Sequence, residues 1–274
     1  MRPLGQFPVE SRRRVRFVLC DIDDTLTLEG RLPAVAYGAL ERLRAAGLKV
    51  VPVTGRPAGW CDHIARMWPV DAVVGENGAF FFHHDDAARA MRRRYWKPAA
   101  ERAADLGRLE ALGEKVLAAV PGAAIAADQP YRDADLSIDY CEDVPRLEVA
   151  EVERIVALCE AAGAQVKVSS IHVNAWFGEF DKLAMTRVMF DELFGLDLDQ
   201  VRDTVVYAGD SPNDVPMFAY FPNAVGVANV RDFAGRLAAE PAWVTEAPGG
   251  DGFAELADAL MAAGAGTYTN GHWR

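Results

Sequence analysis

The chain has 274 residues, about half of them hydrophobic, which suits one large domain or two of ordinary size with a sizeable core. Its formal charge of −11, from 29 Lys and Arg against 40 Asp and Glu, disfavours nucleic-acid and anionic-membrane partners. The four cysteines lack metal-ligand spacing, and no apolar stretch approaches the ~20 residues of a membrane span. These features predict a cytoplasmic protein with reduced thiols.

The first part of the chain alternates short apolar runs with helical periods. Residues 1–14 carry Pro, Gly and Arg without any period, and we predict that they form a loose leader. Continuous β-rich runs indicate strands that are buried on both faces, as in a parallel sheet. We predict strands at 15–20, 48–53 and 71–75 and helices at 33–46 and 57–68. This alternation is typical of a parallel α/β fold.

The middle of the chain has a different rhythm. Residues 83–135 are polar and rich in alanine, and we interpret the basic run at 92–94 as a solvated helix end. Further elements are predicted as helices at 98–119 and 147–162 and strands at 136–141 and within 164–177. Strands interleaved with long helices favour a small α+β domain at residues 84–178.

The first rhythm returns towards the end of the chain. The predicted elements are a helix at 182–194, strands at 203–208, 223–229 and 242–246, and a helix at 252–260. The sequence therefore predicts a doubly wound, Rossmann-like parallel-sheet core formed by residues 1–83 and 179–274. The α+β domain of residues 84–178 is inserted into it.

Reactive side chains follow three of the predicted buried strands. They are Asp21, Asp23 and Asp24 after the first, Thr54, Gly55 and Arg56 after the second, and Asp210, Ser211, Asn213 and Asp214 after the strand at 203–208. Because the carboxyl ends of parallel strands share one edge of a sheet, we expect these residues to converge. Four converging carboxylates repel each other unless a cation balances them, and Mg²⁺ prefers such oxygen ligands. The Thr54 hydroxyl and the Lys182 ammonium suit phosphate oxygens.

Four short motifs together resemble those of the haloacid dehalogenase superfamily. "DIDDTLT" is similar to its first motif, D-x-D-x-T, and "VTGRP" to its second. Lys182 fits the third motif, although Leu183 follows it where the family usually has glycine, and "GDSPND" fits the fourth. The inserted domain lies between the second and third motifs. That placement resembles subfamily IIB, which has a type-two α/β cap and contains Cof-like and sucrose-phosphate phosphatases.

The resemblance implies roles for these residues. Asp21 would be the nucleophile that forms an aspartyl-phosphate, and Asp23 would be the general acid and base. The implied metal ligands are Asp21, Asp210, Asp214 and the backbone carbonyl of Asp23, with Mg²⁺ as the cofactor. The implied substrate-binding residues are Thr54, Gly55, Arg56, Lys182 and Asn213.

One strand of the inserted domain carries a distinctive polar face. Alternation along "IHVNAW" places His172, Asn174 and Trp176 on the same side of the strand. This face is either a sugar-reading surface of the cap or an ordinary solvated sheet face.

The leading interpretation is a Mg²⁺-dependent phosphatase of the haloacid dehalogenase type that hydrolyses a small phosphomonoester, a sugar phosphate. A phosphomutase similar to phosphomannomutases and a non-catalytic phosphometabolite-binding protein are the alternatives. The sequence leaves the substrate, the cap residues that read it and the oligomeric state open.

Overall fold

The computed structural model describes residues 1–169 and 171–266. The β-strands are β1 (Arg2–Pro3), β2 (Phe17–Cys20), β3 (Lys49–Pro52), β4 (Val73–Gly75), β5 (Phe80–Asp85), β6 (Ala90–Tyr95), β7 (Ala124–Ile125), β8 (Leu136–Asp139), β9 (Gln165–Val168), β10 (His172–Trp176), β11 (Val205–Gly209), β12 (Asn223–Gly226) and β13 (Trp243–Val244). The α-helices are α1 (Val9–Arg14), α2 (Ala34–Ala45), α3 (Ala58–Met67), α4 (Ala99–Ala119), α5 (Val149–Ala161), α6 (Lys182–Met189), α7 (Leu198–Val201), α8 (Val215–Tyr220) and α9 (Gly249–Ala262).

A parallel sheet forms the centre of the core. Six strands lie in the order β1-β13-β12-β11-β2-β3, and each neighbouring pair is parallel. One face of β2 packs Val18 against Leu40 of α2 and Phe253 of α9. The other face packs Leu19 among residues such as Met185 of α6 and Phe218 of α8. Helices on both faces bury the apolar runs completely, so the predicted doubly wound α/β fold is confirmed.

Local signals explain where the core helices begin and end. Helix α2 begins directly after Pro33, whose fixed φ suits a helix start. It ends at Gly47, which has a φ of 86° and lies in the left-handed region. The Leu48 N–H donates to the Leu43 carbonyl at 3.1 Å, which closes the end of the helix.

A β-hairpin extends the core where the first part of the chain leads into the second domain. β4 pairs antiparallel with β5, and β5 with β6. A parallel bridge between Val53 and Val74 joins this three-stranded sheet to the end of β3. Phe80 and Phe82 of β5 are buried in the core cluster, and Tyr95 packs against it. The predicted boundary at residue 84 therefore falls inside a hairpin that packs on the core.

The inserted segment folds around its own sheet and its own apolar cluster. Its antiparallel strands have the order β7-β8-β10-β9. Leu109 and Val116 of α4 and Ile155 of α5 pack against Ile138 and Val173 of this sheet. The run at 164–177, which we predicted to contain strand structure, consists of two antiparallel strands, β9 and β10.

Two local predictions are wrong. The leader at residues 1–14 is not loose, because β1 pairs in parallel with β13, and Leu4 and Phe7 are buried in the core cluster. The basic run at 92–94 is not a helix end, since it lies in β6, where Arg92 and Arg94 contact Glu192. Both segments gain their structure from distant partners.

Within residues 1–169 and 171–266, no helix combines the length and the hydropathy needed to cross a membrane.

Candidate active site

Three neighbouring strands deliver the candidate catalytic residues to one edge of the parallel sheet. Asp21 follows β2, Thr54 closely follows β3 and Asp210 follows β11, and these strands are adjacent in the order β11-β2-β3. All three residues are at most 3% exposed. The expected convergence at the carboxyl edge is therefore present, in a setting where buried charges interact strongly.

Lys182 lies between two of the aspartates. Its Nζ is 3.2 Å from Asp21 Oδ1 and 2.8 Å from Asp214 Oδ1. Lys182 is the first residue of α6, and the Asp181 side chain caps this helix by accepting a hydrogen bond from the Ala184 N–H at 2.7 Å. The N-terminal cap thus fixes the point from which the lysine enters the site. The Leu183 departure from the family pattern does not remove the lysine from its place.

Asp214 is saturated with donors. Its Oδ1 accepts from Lys182 and from the Tyr207 hydroxyl at 2.6 Å, and its Oδ2 accepts from the Asp210 and Ser211 N–H groups at 3.0 and 3.3 Å. A carboxylate held this way positions the lysine and shapes the loop that follows β11.

The arrangement of carboxylates fits a divalent cation. One ligand atom each from Asp21, Asp210 and Asp214 lies within 4.8 Å of the others, and all three residues are buried. Asp210 is oriented by the Thr25 hydroxyl at 3.2 Å and by the Asn229 amide at 3.3 Å. Asp21 Oδ1 is buried and accepts no hydrogen bond from the described residues, although Lys182 is near it. An oxygen in that state suits a hard cation such as Mg²⁺.

Burial dominates the electrostatics of this cluster. Loss of solvation raises the pKa of Asp21 to about 7; Lys182 opposes this rise, and Asp214 and Asp23 add to it. Burial, Asp214 and Asp21 likewise raise the pKa of Asp210 well above its usual range. Burial lowers the pKa of Lys182, but the carboxylates of Asp21 and Asp214 outweigh it, so the pKa is above its ordinary value. Without a cation, Asp21 and Asp210 therefore hold protons more readily than ordinary carboxyl groups, and a bound cation would favour their ionised forms.

Asp23 lies apart from this cluster. Its carboxylate accepts hydrogen bonds from Arg56 Nε at 2.9 and 3.1 Å. The expected group of four carboxylate side chains is therefore three, because Arg56 binds the fourth. Asp21 and Asp23 are only two positions apart in the chain, yet their side chains lie in different environments.

Arg56 joins the core to the inserted domain. Besides Asp23, its guanidinium contacts Asp128 at 3.4 Å and Glu142 at 2.9 Å, both from the inserted segment. Arg56 is 5% exposed. Burial lowers the pKa of Arg56, but the carboxylates of Asp23 and Glu142 outweigh it and raise the pKa, so Arg56 remains a fixed positive charge.

The remaining residues that we expected at the site border a narrow gap between the core and the inserted domain. The gap is lined by Asp21, Asp23, Gly55, Arg56, Arg132, Ser169, His172, Asn174, Ser211 and Asn213. Thr54 is fully buried, and its hydroxyl accepts from the Arg56 N–H at 3.1 Å. Asn213 Oδ1 accepts from the Ser211 hydroxyl at 2.8 Å.

The polar face of β10 is divided between two environments. His172 and Asn174 are each 3% exposed and line the gap with Asp21 and Asp23. Trp176 instead packs in the core cluster, where its indole N–H donates to the Phe180 carbonyl at 3.2 Å. The alternative of a solvated sheet face is wrong for all three residues.

Sequence reasoning missed a network of charged residues in the inserted segment. Arg132 Nε donates to Asp128 at 2.9 Å, and Arg132 Nη1 donates to Asp135 at 2.9 Å and to the Gly55 carbonyl at 2.9 Å. Asn174 also donates to Asp135, at 3.1 Å. The charged stretch "DQPYRDAD" at 128–135 was the available signal, but it matches no motif that fixes its partners.

Glu142 was missed as well. Its Oε1 accepts from Arg56, and its Oε2 lies 2.8 Å from His172 Nε2. These contacts lower its pKa to about 2, with the His172 contact as the largest cause. The preceding strand fixes the loop, because the Asp139 carboxylate accepts the N–H groups of Cys141, Glu142 and Asp143 at 2.7–2.9 Å.

A buried carboxylate ties the two parts of the chain together behind the site. Glu76 follows β4 and accepts the Ala58 N–H of α3 and the N–H groups of Asp133, Ala134 and Asp135 at 2.6–3.2 Å. Burial and Asp135 raise its pKa to about 8. Three of these four donors belong to residues 133–135 and the fourth to the core, so Glu76 holds this segment against the core.

Comparison with known proteins agrees with the motifs and the fold. The model of a haloacid dehalogenase-like hydrolase family matches residues 18–100. No curated protein matches the chain.

Solved structures show the same fold at low sequence identity. A Thermoplasma acidophilum protein superposes with a TM-score of 0.66 at 16% identity, covering 90% of this chain and 98% of its own. The Synechocystis sucrose-phosphatase, solved with sucrose and phosphate, gives 0.58 at 15% identity over 91% and 98% of the two chains. A sugar phosphatase described as haloacid dehalogenase subclass IIB gives 0.58 at 16% identity over 91% and 99%. The predicted resemblance to these hydrolases is confirmed.

Proposed function

Because this chain is similar to haloacid dehalogenase-like hydrolases in its motifs and in its fold, we propose that it is a Mg²⁺-dependent phosphatase. Its substrate would be a small phosphomonoester, a sugar phosphate, cleaved through an aspartyl-phosphate intermediate. The observation that supports this most is that Asp21 and Asp210, at the carboxyl ends of adjacent strands, converge with Lys182 at the start of α6. We also propose that the chain is of the subfamily IIB type, that its inserted segment is a cap and that the protein is cytoplasmic.

Asp21 is the proposed nucleophile. One of its carboxylate oxygens attacks phosphorus while the bond from phosphorus to the leaving oxygen breaks. Buried Lys182 and the Thr54 hydroxyl hold and neutralise the phosphoryl oxygens. When bound, Mg²⁺ neutralises phosphoryl charge, and Asp21, Asp210 and the backbone carbonyl of Asp23 would hold it, with Asp214 supporting the shell.

Asp23 is the proposed general acid and base. It gives its proton to the leaving oxygen and later takes one from the water that attacks phosphorus, which releases phosphate and regenerates Asp21. Its contact with Arg56 sets it apart from Asp21 and aligns it at the border of the gap. Gly55, Arg56, Asn213, His172 and Asn174 are the proposed substrate-binding residues around that gap.

The inserted segment is proposed to act as a cap that covers this reaction. Residues 84–178 were the expected cap between core segments 1–83 and 179–274. Because β5 and β6 pack on the core, we propose that the cap begins after Tyr95. Contacts from Arg56, Arg132 and Glu76 across the junction support a closed position that excludes bulk water.

Phosphate release tests the proposal directly. With purified protein and Mg²⁺, we expect hydrolysis of p-nitrophenyl phosphate and of hexose monophosphates. Asp21→Asn should lower the rate of this hydrolysis by a factor of about 10³ or more. Loss of hydrolysis in the wild type, or full retention in Asp21→Asn, would indicate the non-catalytic binding protein.

A second measurement separates phosphatase from phosphomutase. Incubation with hexose 1- and 6-phosphates should release inorganic phosphate without interconverting the two isomers. Interconversion that outpaces phosphate release would replace the phosphatase proposal with the phosphomutase alternative.

A further inference from the structure

Two cavities open beside the proposed acid, and they share the same inner wall. The acidic cavity, of 360 Å³, is named for Asp24, Glu29 and Glu142 in its lining. The tryptophan cavity, of 380 Å³, is named for Trp60 and Trp68. Both volumes lie within the ~300–1,000 Å³ of small-molecule pockets.

The shared wall consists of Asp23, Thr27, Gly30 and Arg56. Under the proposed mechanism, the leaving oxygen departs from the phosphoryl group towards Asp23. A leaving group that accepts a proton from Asp23 must therefore occupy space that this residue borders. The two cavities provide that space.

The acidic cavity carries an excess of negative charge. Asp23, Asp24, Glu29 and Glu142 line it together with two cations, Arg56 and Arg146. Arg56 already contacts three carboxylates, so it has little charge left to offer a ligand. Because the four carboxylates outnumber the two cations, an anionic leaving group would meet net repulsion here, whereas hydroxyl groups would find carboxylate acceptors.

Glu142 is built to accept such hydrogen bonds. Three backbone N–H groups fix its loop on Asp139, and Arg56 and His172 fix its side chain. Its side chain remains 29% exposed. A preorganised carboxylate with accessible lone pairs selects partners that carry donors and discriminates against those that lack them.

The tryptophan cavity offers an apolar surface. Trp60 is 43% exposed, and the Arg56 guanidinium lies over its ring at 4.5 Å. Trp68 and Ile64 extend this apolar surface. The polar lining residues of the cavity include Asp23, Arg56 and His63. Exposed tryptophan next to a carboxylate suits a sugar ring, whose C–H face packs on the indole while its hydroxyls reach the acid.

We propose that the leaving group is an uncharged sugar ring that packs on Trp60 and donates hydroxyl hydrogen bonds to Glu142. The assignment rests on the proposed phosphatase function and adds the discrimination against anionic leaving groups. Trp60 and Glu142 determine specificity and take no part in bond breaking.

Three matched substrates separate charge from ring shape. Sorbitol 6-phosphate and 6-phosphogluconate are both acyclic and differ by a carboxylate. Glucose 6-phosphate and sorbitol 6-phosphate are both uncharged in the leaving group and differ by the ring. We expect kcat/KM to favour sorbitol 6-phosphate over 6-phosphogluconate by at least tenfold, and glucose 6-phosphate over sorbitol 6-phosphate by about fivefold.

Two variants should change these ratios independently. We call the kcat/KM of sorbitol 6-phosphate over that of 6-phosphogluconate the charge ratio, and that of glucose 6-phosphate over sorbitol 6-phosphate the ring ratio. Glu142→Gln should lower the charge ratio at least threefold and leave the ring ratio unchanged. Trp60→Ala should abolish the ring ratio and leave the charge ratio in place. The matched controls are Glu114→Gln on exposed α4 and Trp96→Ala outside both cavities, and they should alter neither ratio.

The outcomes distinguish this inference from the phosphatase proposal. Equal kcat/KM for the charge pair in the wild type, or a charge ratio that Glu142→Gln leaves intact, overturns the uncharged-sugar assignment while phosphatase activity stands. Absence of any Asp21-dependent phosphate release overturns both. Circular dichroism of each variant confirms that a changed ratio comes from a folded protein.

Discussion

At the residue scale, Asp21 and Lys182 bear opposite charges in one buried contact, yet their removal should have different consequences. Asp21 brings a carboxylate with an elevated pKa into a site that already holds Asp210 and Asp214. Lys182 is the ammonium that both Asp21 and Asp214 contact. Removing a repelled charge and removing the counter-charge are different changes in free energy.

We expect Asp21→Ala to abolish turnover while leaving the metal-free protein as stable as the wild type or more so. Lys182 keeps Asp214 as its partner, and Asp210 loses a repelling neighbour. Urea unfolding in EDTA at pH 7 measures the free energy of unfolding. A clear loss of stability would contradict the electrostatic account of this cluster.

Lys182→Met should have the opposite sign. It leaves Asp21 and Asp214 buried without their cation, which should lower the free energy of unfolding by about 3–5 kcal/mol. The same urea titration, without metal, compares it with Asp21→Ala. Equal stability of the two variants would show that the lysine does not balance the buried carboxylates.

Glu142 predicts a pH dependence. Its pKa in the folded protein is about 2 instead of the usual 4.5, because His172 and Arg56 stabilise the ionised form. The stabilisation is therefore complete above about pH 4.5 and is lost as the pH falls through about 2. After screening at this half-buried site, we expect Glu142→Gln to cost about 1 kcal/mol at pH 7. The difference from the wild type in the free energy of unfolding should shrink as the pH falls from about 4.5 towards 2 in denaturant titrations. A difference that stays constant would exclude this ion pair as its source.

At the element scale, the turn from β4 into β5 fixes how the hairpin leaves the core. Gly78 has a φ of +107°, and a Cβ there would lie 2.0 Å from the Asp181 carbonyl oxygen, directly before Lys182. This close backbone approach joins the exit to the hairpin with the start of α6. A side chain at position 78 would disturb both the turn and the entry of the lysine.

Gly78→Ala should therefore destabilise the protein by at least about 3 kcal/mol through strain and steric overlap. Gly107→Ala is the matched control, since Gly107 is an exposed position of α4 where an added Cβ would meet nothing within 4 Å. It should stabilise the protein by about 0.5–1 kcal/mol through helix propensity. Thermal unfolding of both variants checks the contrast, which fails if the two substitutions shift Tm equally.

At the scale of the whole molecule, the inserted segment and the core meet over a buried set of charges. Arg56, Arg132 and Glu76 link residues that are far apart in the chain. Inside the core part of this interface, three carboxylates surround the proposed metal position. Binding of a cation should therefore stabilise the entire fold and not only the reaction.

Mg²⁺ should raise the thermal stability of the wild type. A ligand at 100 times its Kd adds about 2.7 kcal/mol to the free energy of unfolding. Calorimetry with and without Mg²⁺ at pH 7 measures the shift in Tm, independently of turnover. Asp210→Asn should lose most of the shift. A wild-type Tm that does not respond to Mg²⁺ would contradict a cation site in this cluster.

The sequence indicated the core of the fold and the residues that converge at the carboxyl edge of its sheet. Continuous apolar runs between helical periods leave few arrangements other than a doubly wound parallel sheet. Once strands β2, β3 and β11 are parallel, their carboxyl ends must share an edge. Asp21, Thr54 and Asp210 could therefore be placed from the chain alone.

What remained undetermined by the sequence depends on partners distant along the chain. The leader acquires structure by pairing with β13, and the basic run at 92–94 by pairing with β5. Neither pairing leaves a local signal in the sequence, because the backbone N–H and C=O groups at a sheet edge can pair with any strand that the fold brings next to them.

The candidate site likewise has a part that the sequence predicts and a part that depends on distant partners. The short motifs, such as the one that contains Asp21 and Asp23, predict the residues at the carboxyl edge of the sheet. Tertiary structure alone decided that Arg56 binds Asp23 and that Glu142 of the inserted segment contacts both Arg56 and His172. A buried charge takes the partner that the fold brings within a few ångströms, and composition or spacing does not specify that partner.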